Sequence, residues 1–387
     1  MKVSFVSRWG VQCGIATYTD QLIQSLMRQK GVMCDCLAEQ LIGIKEISVQ
    51  STDARFFRCW SGRQSNYEGI VRQLKKAKPD IVHFQHEFGL MDTPGALFEI
   101  IPKIRALGIG IVFTPHTVMP VPSPKKWFFR DVLRQADAVV AHNEQMKDAL
   151  TDWGLRPHCV HVIPHGTPEN CAIEDRRSAR KTLFLPEDPS LVVAISLGFI
   201  SPGKMQHEAV EAVLGLAQEG LIDTSRFLYI IAGSPGQNDQ QNVEYCRSLH
   251  QKIESARAWN FIRIIPRFID REDLPLWYGA ADFVITGSHQ TFFSVSGRSH
   301  QEMAYGMPSV SSNARLLSDL NEERSLKYDS MFQLRGHILT MVREPQLRGS
   351  MHRRCLDFAE STSWTNAAKK HIRLYEKVSS SKEKGKS

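Results

Sequence analysis

Close cysteine pairs are absent from this sequence. Its eight cysteines include no Cys-x-x-Cys spacing, and only Cys34 and Cys36 lie near each other among the 387 residues. The sequence therefore has no recognisable zinc-binding motif and lacks the disulfide framework of a small secreted domain. We therefore expect free, buried thiols in a reducing compartment.

Long apolar runs are also absent. The longest stretches, such as residues 191–200, fall well short of the roughly 20 residues that a membrane-spanning helix needs. Polar Ser7 and Arg8 follow the short apolar N-terminus, so the core of a signal peptide is missing too. The sequence therefore predicts a cytoplasmic protein.

The composition is that of an ordinary globular protein. Hydrophobic residues make up 42% of the chain and charged residues 23%, which excludes a disordered or fibrous chain. At roughly 150 residues per domain, the length predicts two or three domains.

The net charge of +7 is concentrated at the C-terminus. Residues 369–387 contain seven lysines and arginines against two glutamates, an excess of +5 that leaves +2 for the rest of the chain. A nucleic-acid-binding domain more often spreads its basic residues over a folded face with aromatics interleaved, so we expect no nucleic-acid partner. Residues 379–387 predict a basic, disordered tail. Its weak attraction to anionic lipid head groups leaves open a peripheral contact with the inner membrane face.

Short apolar segments alternate with helical patterns along the chain. This order predicts an α/β fold with parallel sheets wrapped by helices. A polar stretch at residues 169–189 separates two such series, so we expect one domain at 1–175, a second at 176–360, a last helix at 361–378 and then the tail. The predicted strands are 2–7, 81–85, 110–114, 138–141 and 161–163 in the first series, and 191–196, 227–232, 261–266, 283–286 and 309–311 in the second.

A glycine-bearing turn at residues 8–19 follows the first predicted strand and leads into a helix. Gly14 would let the backbone approach a ligand, while the helix N-terminus offers N–H groups to a phosphate or sugar oxygen. The turn lacks the Gly-x-Gly-x-x-Gly dinucleotide pattern, and a tight connection between strand and helix explains it equally well.

Several histidines follow predicted strands. His86, which precedes Glu87, and His116 stand where strands give way to loops, the position at which parallel sheets contact ligands. A local hydrogen-bonding role is the alternative for each of them. His142 and His165 also follow strands, but no His-x-x-x-His helix or carboxylate pairing supports a metal site.

Two segments of the second series suit a diphosphate. Lys204 ends a turn of small residues that begins at Gly198, and a cation beside a helix N-terminus attracts an anion. A solvated surface lysine is the alternative. Residues 294–302 open a further helix, in which Gly297 and the next N–H groups can cradle a phosphate and Glu302 can accept hydrogen bonds from a ribose diol.

Together these segments resemble the retaining glycosyltransferases of family 4, which have the GT-B fold. The likeness covers nearly the whole chain, and it is carried by residues 13–19, 86–89, 115–117, 163–166, 198–204, 281–282 and 297–308. It implies two Rossmann-like parallel-sheet domains that face each other across a cleft. The N-terminal domain would bind the acceptor, and the C-terminal domain would bind the nucleotide sugar.

The resemblance implies transfer of a sugar from a UDP- or GDP-type donor to an acceptor hydroxyl, with retention of the anomeric configuration. The acceptor would be a carbohydrate, a lipid-linked sugar or a small molecule in the synthesis of a glycan, glycolipid or glycoconjugate. No cofactor and no metal are expected. The implied catalytic residues are His116 and Lys204; the implied donor-binding residues are Gly14, Gly198, Lys204, Arg267, Ser294, Gly297, Arg298, Ser299 and Glu302; and the implied acceptor-binding residues are Gln12, His86 and Glu87.

Two positions depart from the pattern of this family. Ser294 stands where the first acid of the Glu-x7-Glu motif is expected, and because that acid commonly touches the sugar, the donor sugar is not implied. Phe199 stands where many members carry an arginine after the strand-end glycine. We hypothesise that Arg298 or Arg267 replaces this guanidinium.

Three other functions are compatible with the sequence. One is an epimerase or phosphorylase on the same fold. Another is a catalytically silent relative that binds a nucleotide sugar or serves as a partner subunit, which Ser294 in place of an acid favours. The third is a nucleic-acid binder, whose affinity would depend steeply on salt.

The last helix resembles the family helix that crosses back onto the first domain, with an ordinary surface helix as the alternative.

Overall fold

The computed structural model describes residues 1–11, 13–41, 54–62, 66–91, 94–120, 124–235 and 239–384. In these residues the chain forms two α/β units, each built on one parallel sheet. The first unit comprises Met1–Gly166, Phe292–Gly297 and the chain from Thr362 onward. The second unit comprises Thr167–Thr291 and Arg298–Ser361.

The sheet of the first unit has seven described strands. They are β1 (Lys2–Ser7), β2 (Met33–Glu39), β3 (Arg55–Trp60), β4 (Ile81–His86), β5 (Gly110–Pro115), β6 (Ala138–Ala141) and β7 (Val160–Val162). Their order in the sheet is β3-β2-β1-β4-β5-β6-β7, and each neighbouring pair is parallel. The helices between these strands are α1 (Gly14–Met27), α2 (Glu68–Ala77), α3 (Pro94–Arg105), α4 (Pro124–Leu133) and α5 (Glu144–Asp152).

The sheet of the second unit has six described strands, also parallel throughout. They are β8 (Val192–Leu197), β9 (Phe227–Ala232), β10 (Ile262–Ile265), β11 (Phe283–Thr286), β12 (Ser309–Ser312) and β13 (Ser325–Tyr328), in the order β10-β9-β8-β11-β12-β13. The remaining helices are α6 (Arg176–Thr182), α7 (Gln206–Gln218), α8 (Gln240–Ser255), α9 (Leu274–Ala280), α10 (Gly297–Ala304), α11 (Met331–Arg343), α12 (Pro345–Ser361) and α13 (Trp364–Lys384).

Burial on both faces explains the nearly continuous apolar runs of the central strands. Every residue of β4 and β5 is buried, including His83. The ring nitrogens of His83 lie 2.7 Å from Thr114 Oγ1 and 2.7 Å from Tyr375 Oη on the last helix. Burial lowers the pKa of His83 well below its ordinary value, so this neutral imidazole ties the sheet to α13.

The division between the units falls at residues 166 and 167, earlier than the expected 175 and 176. The intervening residues make their hydrogen bonds with the second unit. The backbone N–H of Glu174 donates to Pro275 O at 3.1 Å, and Thr167 Oγ1 lies 2.7 Å from His300 Nδ1. These bonds, rather than the polar composition of the stretch, determine where the boundary falls.

The last helix packs within the first unit and is longer than the sequence indicates. Trp364, Leu374 and Tyr375 lie in the core of this unit. A Cβ on Gly110 would lie only 2.7 Å from Val378 Cγ1. The glycine at the start of β5 therefore leaves room for the helix. The helix continues to Lys384, so residues 379–384 are helical rather than part of a disordered tail.

The strand order of each sheet reverses beside one central pair, β1 and β4 in the first unit and β8 and β11 in the second. Ligands of doubly wound sheets bind outside the carboxyl ends of the strands at such a point. The loop that follows β1 leads to Gly14, and His86 ends β4; Gly198 and Gly287 lie on the loops that follow β8 and β11. The topology therefore brings candidate residues to two sheet edges.

The described helices include none that is long and apolar enough to cross a membrane. All eight cysteines are free thiols, as expected; four are buried and four are partly buried.

Candidate functional site

Strand-end glycines shape the ligand edge of the second sheet. Gly198 follows β8 with φ +117°, a conformation that favours glycine. At Gly233, which follows β9, a Cβ would lie only 1.5 Å from Gly198 O. At Gly287, which follows β11, a Cβ would lie 2.7 Å from Met205 Cβ. The exits of β8 and β9 thus pack backbone against backbone, and the exit of β11 packs against the side chain of Met205.

Lys204 ends the 3₁₀ turn Pro202–Lys204, directly after this edge. Burial lowers the pKa of its amine below the ordinary value, the nearby charge of Glu302 opposes that effect, and the charge of Arg298 adds to it. Lys204 is therefore a half-buried cation that shares its surroundings with an acid and an arginine, rather than a solvated surface lysine.

Glu302 lies on α10 and is only 2% exposed. Burial raises the pKa of its carboxyl to about 7, although the charges of Arg298 and Lys204 act in the opposite direction. Its Oε2 atom is buried and has no hydrogen-bond partner among the described residues. A buried carboxyl oxygen without a partner is costly, and a ligand hydroxyl would satisfy it.

Arg298, at the start of α10, lies beside Gly198. Its Nε and Nη2 atoms are 3.6 Å from the point that a Cβ of Gly198 would occupy, and Nη1 donates to Gln301 Oε1 at 2.9 Å. Arg267 is placed differently, because its exposed guanidinium lies 3.8 Å from Asp273 Oδ2 after β10. The structure thus brings Arg298, but not Arg267, together with Lys204 and Glu302.

A buried histidine on α10 was not selected from the sequence. The ring nitrogens of His300 lie 2.7 Å from Thr167 Oγ1 and 2.9 Å from Asp319 Oδ2. An eight-residue helix is too short to be stable alone, so these contacts help to hold α10 and the side chain of Glu302. The three partners are far apart in sequence, and no spacing pattern could have joined them.

His116 follows β5 in the first unit and is almost fully buried. Its Nε2 lies 2.9 Å from Gln85 Oε1, which makes Nε2 the donor and Nδ1 an acceptor. Within the described chain, Nδ1 makes no hydrogen bond. Burial lowers the pKa of His116 well below its ordinary value, and His142 and His86 add to the effect. The imidazole is therefore neutral and has one nitrogen available to accept a hydrogen bond.

Ser294 contacts the same loop. Its hydroxyl donates to His116 O at 2.6 Å, and the backbones of Val118 and Phe293 exchange two hydrogen bonds of 2.8 Å. The residue that replaces the expected acid is therefore a structural link to the exit of β5. A Cβ on Gly297 would lie 3.3 Å from His165 Nε2. Ser299 is buried in α10.

Aromatic rings surround His116, and the sequence did not indicate this cluster. The ring of Tyr18 on α1 has centroid distances of 4.7 Å to His116, 5.2 Å to His142, 5.0 Å to His165 and 5.2 Å to Trp364. The hydroxyl of Tyr18 is buried without a hydrogen-bond partner in the described residues. The cluster packs α1 and α13 against the loop that carries His116.

The other predicted residues of the first unit occupy varied positions. Gly14 begins α1, and a Cβ there would meet no atom within 4 Å. Glu87 accepts hydrogen bonds from Thr117 Oγ1 at 2.7 Å and from the N–H of Phe88 at 3.0 Å, and burial raises its pKa.

Two of the predicted acceptor contacts gain no support from the structure. His86 is fully buried with its ring stacked 3.7 Å from that of Phe129, and burial lowers its pKa to about 3. It presents no surface to an acceptor in this conformation. Gln12 lies outside the described residues.

Within the described ranges, no group of three or more His, Cys, Asp or Glu side chains is placed to hold an ion. That the reaction needs no metal stays a prediction.

Two doubly wound parallel sheets, one with two cations and a buried carboxyl at its switch point, define a protein of the GT-B fold. The solved structure of Alr3699/HepE from Anabaena in complex with UDP aligns with a TM-score of 0.73 and 16% identity, and the match covers 97% of this chain and 100% of that one. Residues 13–170 match the family Glycosyltransferase Family 4. This match covers less than half of the chain.

Curated proteins are also similar to parts of this chain. D-inositol 3-phosphate glycosyltransferase of Streptosporangium roseum is 27% identical over 206 residues, which are 49% of this chain and 45% of the relative. Alpha-monoglucosyldiacylglycerol synthase of Streptococcus pneumoniae is 24% identical over 292 residues, 69% of this chain and 60% of the relative. The matches thus span about half of these relatives' lengths.

Proposed function

We propose that this protein transfers a glycosyl group from a nucleoside diphosphate sugar to an acceptor hydroxyl with retention of the anomeric configuration. The observation that carries the proposal is the cluster of Lys204, Arg298 and Glu302 at the switch point of the second sheet. The names of the curated relatives, a glycosyltransferase and a glucosyl lipid synthase, support the same chemistry.

Charge stabilisation would provide most of the catalysis. Breaking the bond between the anomeric carbon and the phosphate oxygen leaves its electron pair on the diphosphate. Lys204 would stabilise that charge, and its partly desolvated surroundings would strengthen the interaction. Glu302 would accept hydrogen bonds from the ribose diol, which would satisfy its buried Oε2.

Retention is proposed to follow from attack on the face that the diphosphate leaves. The acceptor oxygen forms the new bond to the anomeric carbon, and its proton passes to the departing phosphate oxygen. His116 need not remove that proton, because its pKa is low and its neutral Nδ1 is suited to accepting a hydrogen bond from a sugar hydroxyl. Its role is then to orient the reacting sugar.

UDP is the better-supported nucleotide. The Anabaena structure to which this fold is similar was solved in complex with UDP. The donor sugar is less constrained, since Ser294 directs its hydroxyl to His116 O instead of offering a carboxylate. The acceptor is proposed to be a carbohydrate, a lipid-linked sugar or a small hydroxylated molecule.

Calorimetric titration with UDP and GDP tests the donor site directly. We expect one nucleotide to bind the wild type, and Lys204→Ala to weaken that affinity by about 10- to 100-fold, because a hydrogen-bonded charge contact is lost. Lys181→Ala, which removes an exposed lysine from α6, is the matched control and should bind like the wild type. Absence of binding by both nucleotides would contradict the proposal.

Turnover tests the second half of the proposal. The protein should release the nucleoside diphosphate from its donor only when a suitable acceptor is present, and proton NMR of the product should show the anomeric configuration of the donor. An inverted product would refute retention.

A catalytically silent nucleotide-sugar binder is the second candidate. It is favoured by Ser294, which lacks the carboxylate expected at its position. Tight donor binding without turnover over a wide acceptor panel would support it.

A further inference from the structure

The arginine expected after Gly198 is missing, and an aromatic ring stands in its place. Phe199 is 52% exposed, and its backbone carbonyl accepts a hydrogen bond from Gln206 Nε2 at 2.9 Å. A phenyl ring cannot stabilise a diphosphate electrostatically. Under the proposed function, the leaving group therefore lacks one of its two expected side-chain cations unless another residue supplies it.

We propose that Arg298, reaching from α10 across the exit of β8, supplies the second cation to the leaving diphosphate. This inference rests on the proposed function and assigns a residue within the same site.

The position of Arg298 provides the first argument. Two of its guanidinium nitrogens, Nε and Nη2, lie 3.6 Å from the point that a Cβ of Gly198 would occupy. The missing arginine would be at residue 199, which directly follows Gly198. The guanidinium of Arg298 therefore lies at the strand exit where the missing arginine would begin, although it comes from a different element.

The second argument is its orientation. Nη1 donates to Gln301 Oε1 at 2.9 Å, one turn further along α10, and the side chain is half-buried. Nη1 is thus held by Gln301, Tyr278 also interacts with the guanidinium, and the Nε and Nη2 edge lies beside Gly198. Two parallel N–H groups on one edge match the spacing of phosphate oxygens.

The third argument is charge. Arg298 acts electrostatically on both Lys204 and Glu302, lowering the pKa of each. Two cations therefore accompany one buried acid, and this combination attracts an anion. Arg267 does not share this environment, because it is exposed and ion-paired with Asp273.

Isothermal titration with UDP and GDP, using the full-length protein, tests the assignment. We expect Arg298→Ala to weaken the affinity by about 10- to 100-fold and Arg298→Lys to recover part of it. Arg247→Ala removes an exposed arginine from α8 and is the matched control, with wild-type affinity expected.

The decisive variant moves the guanidinium back to the expected position. Phe199→Arg combined with Arg298→Ala should regain most of the affinity that Arg298→Ala loses, which a merely destabilised protein would not do. Thermal unfolding of each variant identifies any loss of folding.

Two results overturn the assignment. Wild-type affinity of Arg298→Ala would refute it while leaving the proposed function intact, and a large loss in Arg267→Ala beside it would assign the second cation to Arg267 instead. Failure of the wild type to bind either nucleotide would refute the proposed function, and the inference with it.

Discussion

Replacing Glu302 with glutamine should make the ligand-free protein more stable above neutral pH. In the unfolded chain this carboxyl ionises near its ordinary pKa of 4.5, whereas burial raises the pKa in the folded protein to about 7. Between these values the folded state retains a proton that the unfolded state has lost. Stability therefore falls as the pH rises from 4.5 through 7, and the loss is complete above the folded pKa.

The size of the effect follows from the same two values. A difference between 4.5 and about 7 corresponds to about 3 kcal/mol of folding free energy at pH 8. The side chain is 2% exposed, so solvent screening reduces this figure little. Glutamine has the same shape as the protonated acid and carries no charge, and Glu302→Gln should therefore escape the penalty.

Thermal unfolding over a pH series measures this difference. At pH 4 the variant and the wild type should unfold at similar temperatures, and the curves should separate between pH 5 and 8. A gain of about 3 kcal/mol in a unit of this size raises the unfolding temperature by roughly 6–12 °C. Glu187→Gln, a surface carboxylate paired with Arg177, is the control and should follow the wild type.

The reasoning fails if Glu302→Gln is no more stable than the wild type at pH 8. It also fails if the two proteins differ by the same amount at pH 4 and pH 8, since a packing effect would not depend on ionisation.

Three further substitutions test contacts elsewhere. Asp282→Ala should lower the free energy of unfolding by about 3–5 kcal/mol in urea, because the buried guanidinium of Arg180 would lose its counter-charge. Ser294→Ala should lower the free energy of unfolding by about 1 kcal/mol, because the hydrogen bond to His116 O is lost. Because the backbone of His116 is then less restrained, kcat should fall several-fold with little change in nucleotide affinity. A change in nucleotide affinity alone would contradict this. Gly166→Ala should destabilise by about 1–3 kcal/mol in the same urea assay, because its methyl group would begin 2.1 Å from an indole ring, and a wild-type midpoint would contradict the packing.

Much of the fold is predictable because its central strands are buried on both faces. The predicted strands at 2–7, 138–141, 227–232 and 283–286 coincide with β1, β6, β9 and β11, whose apolar runs are short and well bounded. Strands β2, β3 and β13 are not among the predicted strands. β3 and β13 lie at sheet edges, and β2 carries Asp35 and Glu39 within its run, so none shows a simple apolar pattern.

Part of the candidate site could be predicted from the sequence, and part could not. Lys204, Glu302 and His116 could be chosen as candidates because the segment that carries each of them follows a strand or opens a helix, where topology places ligand contacts. The role of Ser294 as a donor to His116 O could not be found, because it depends on a bridge between segments 178 residues apart. The sequence thus shows that residue 294 lacks the expected acid, but it does not show the hydrogen bond that Ser294 makes instead.

The chain order of the two units has a consequence for how the protein is made. Because the second unit interrupts the first, the helix that supplies Trp364 and Tyr375 to the first core is synthesised only after the second unit. The N-terminal sheet must wait, with part of its apolar surface uncovered, while the C-terminal sheet is synthesised and free to fold ahead of it. The first unit can therefore complete its core only after the second unit has been synthesised, and a nascent chain stalled before Thr362 should expose an apolar face to chaperones.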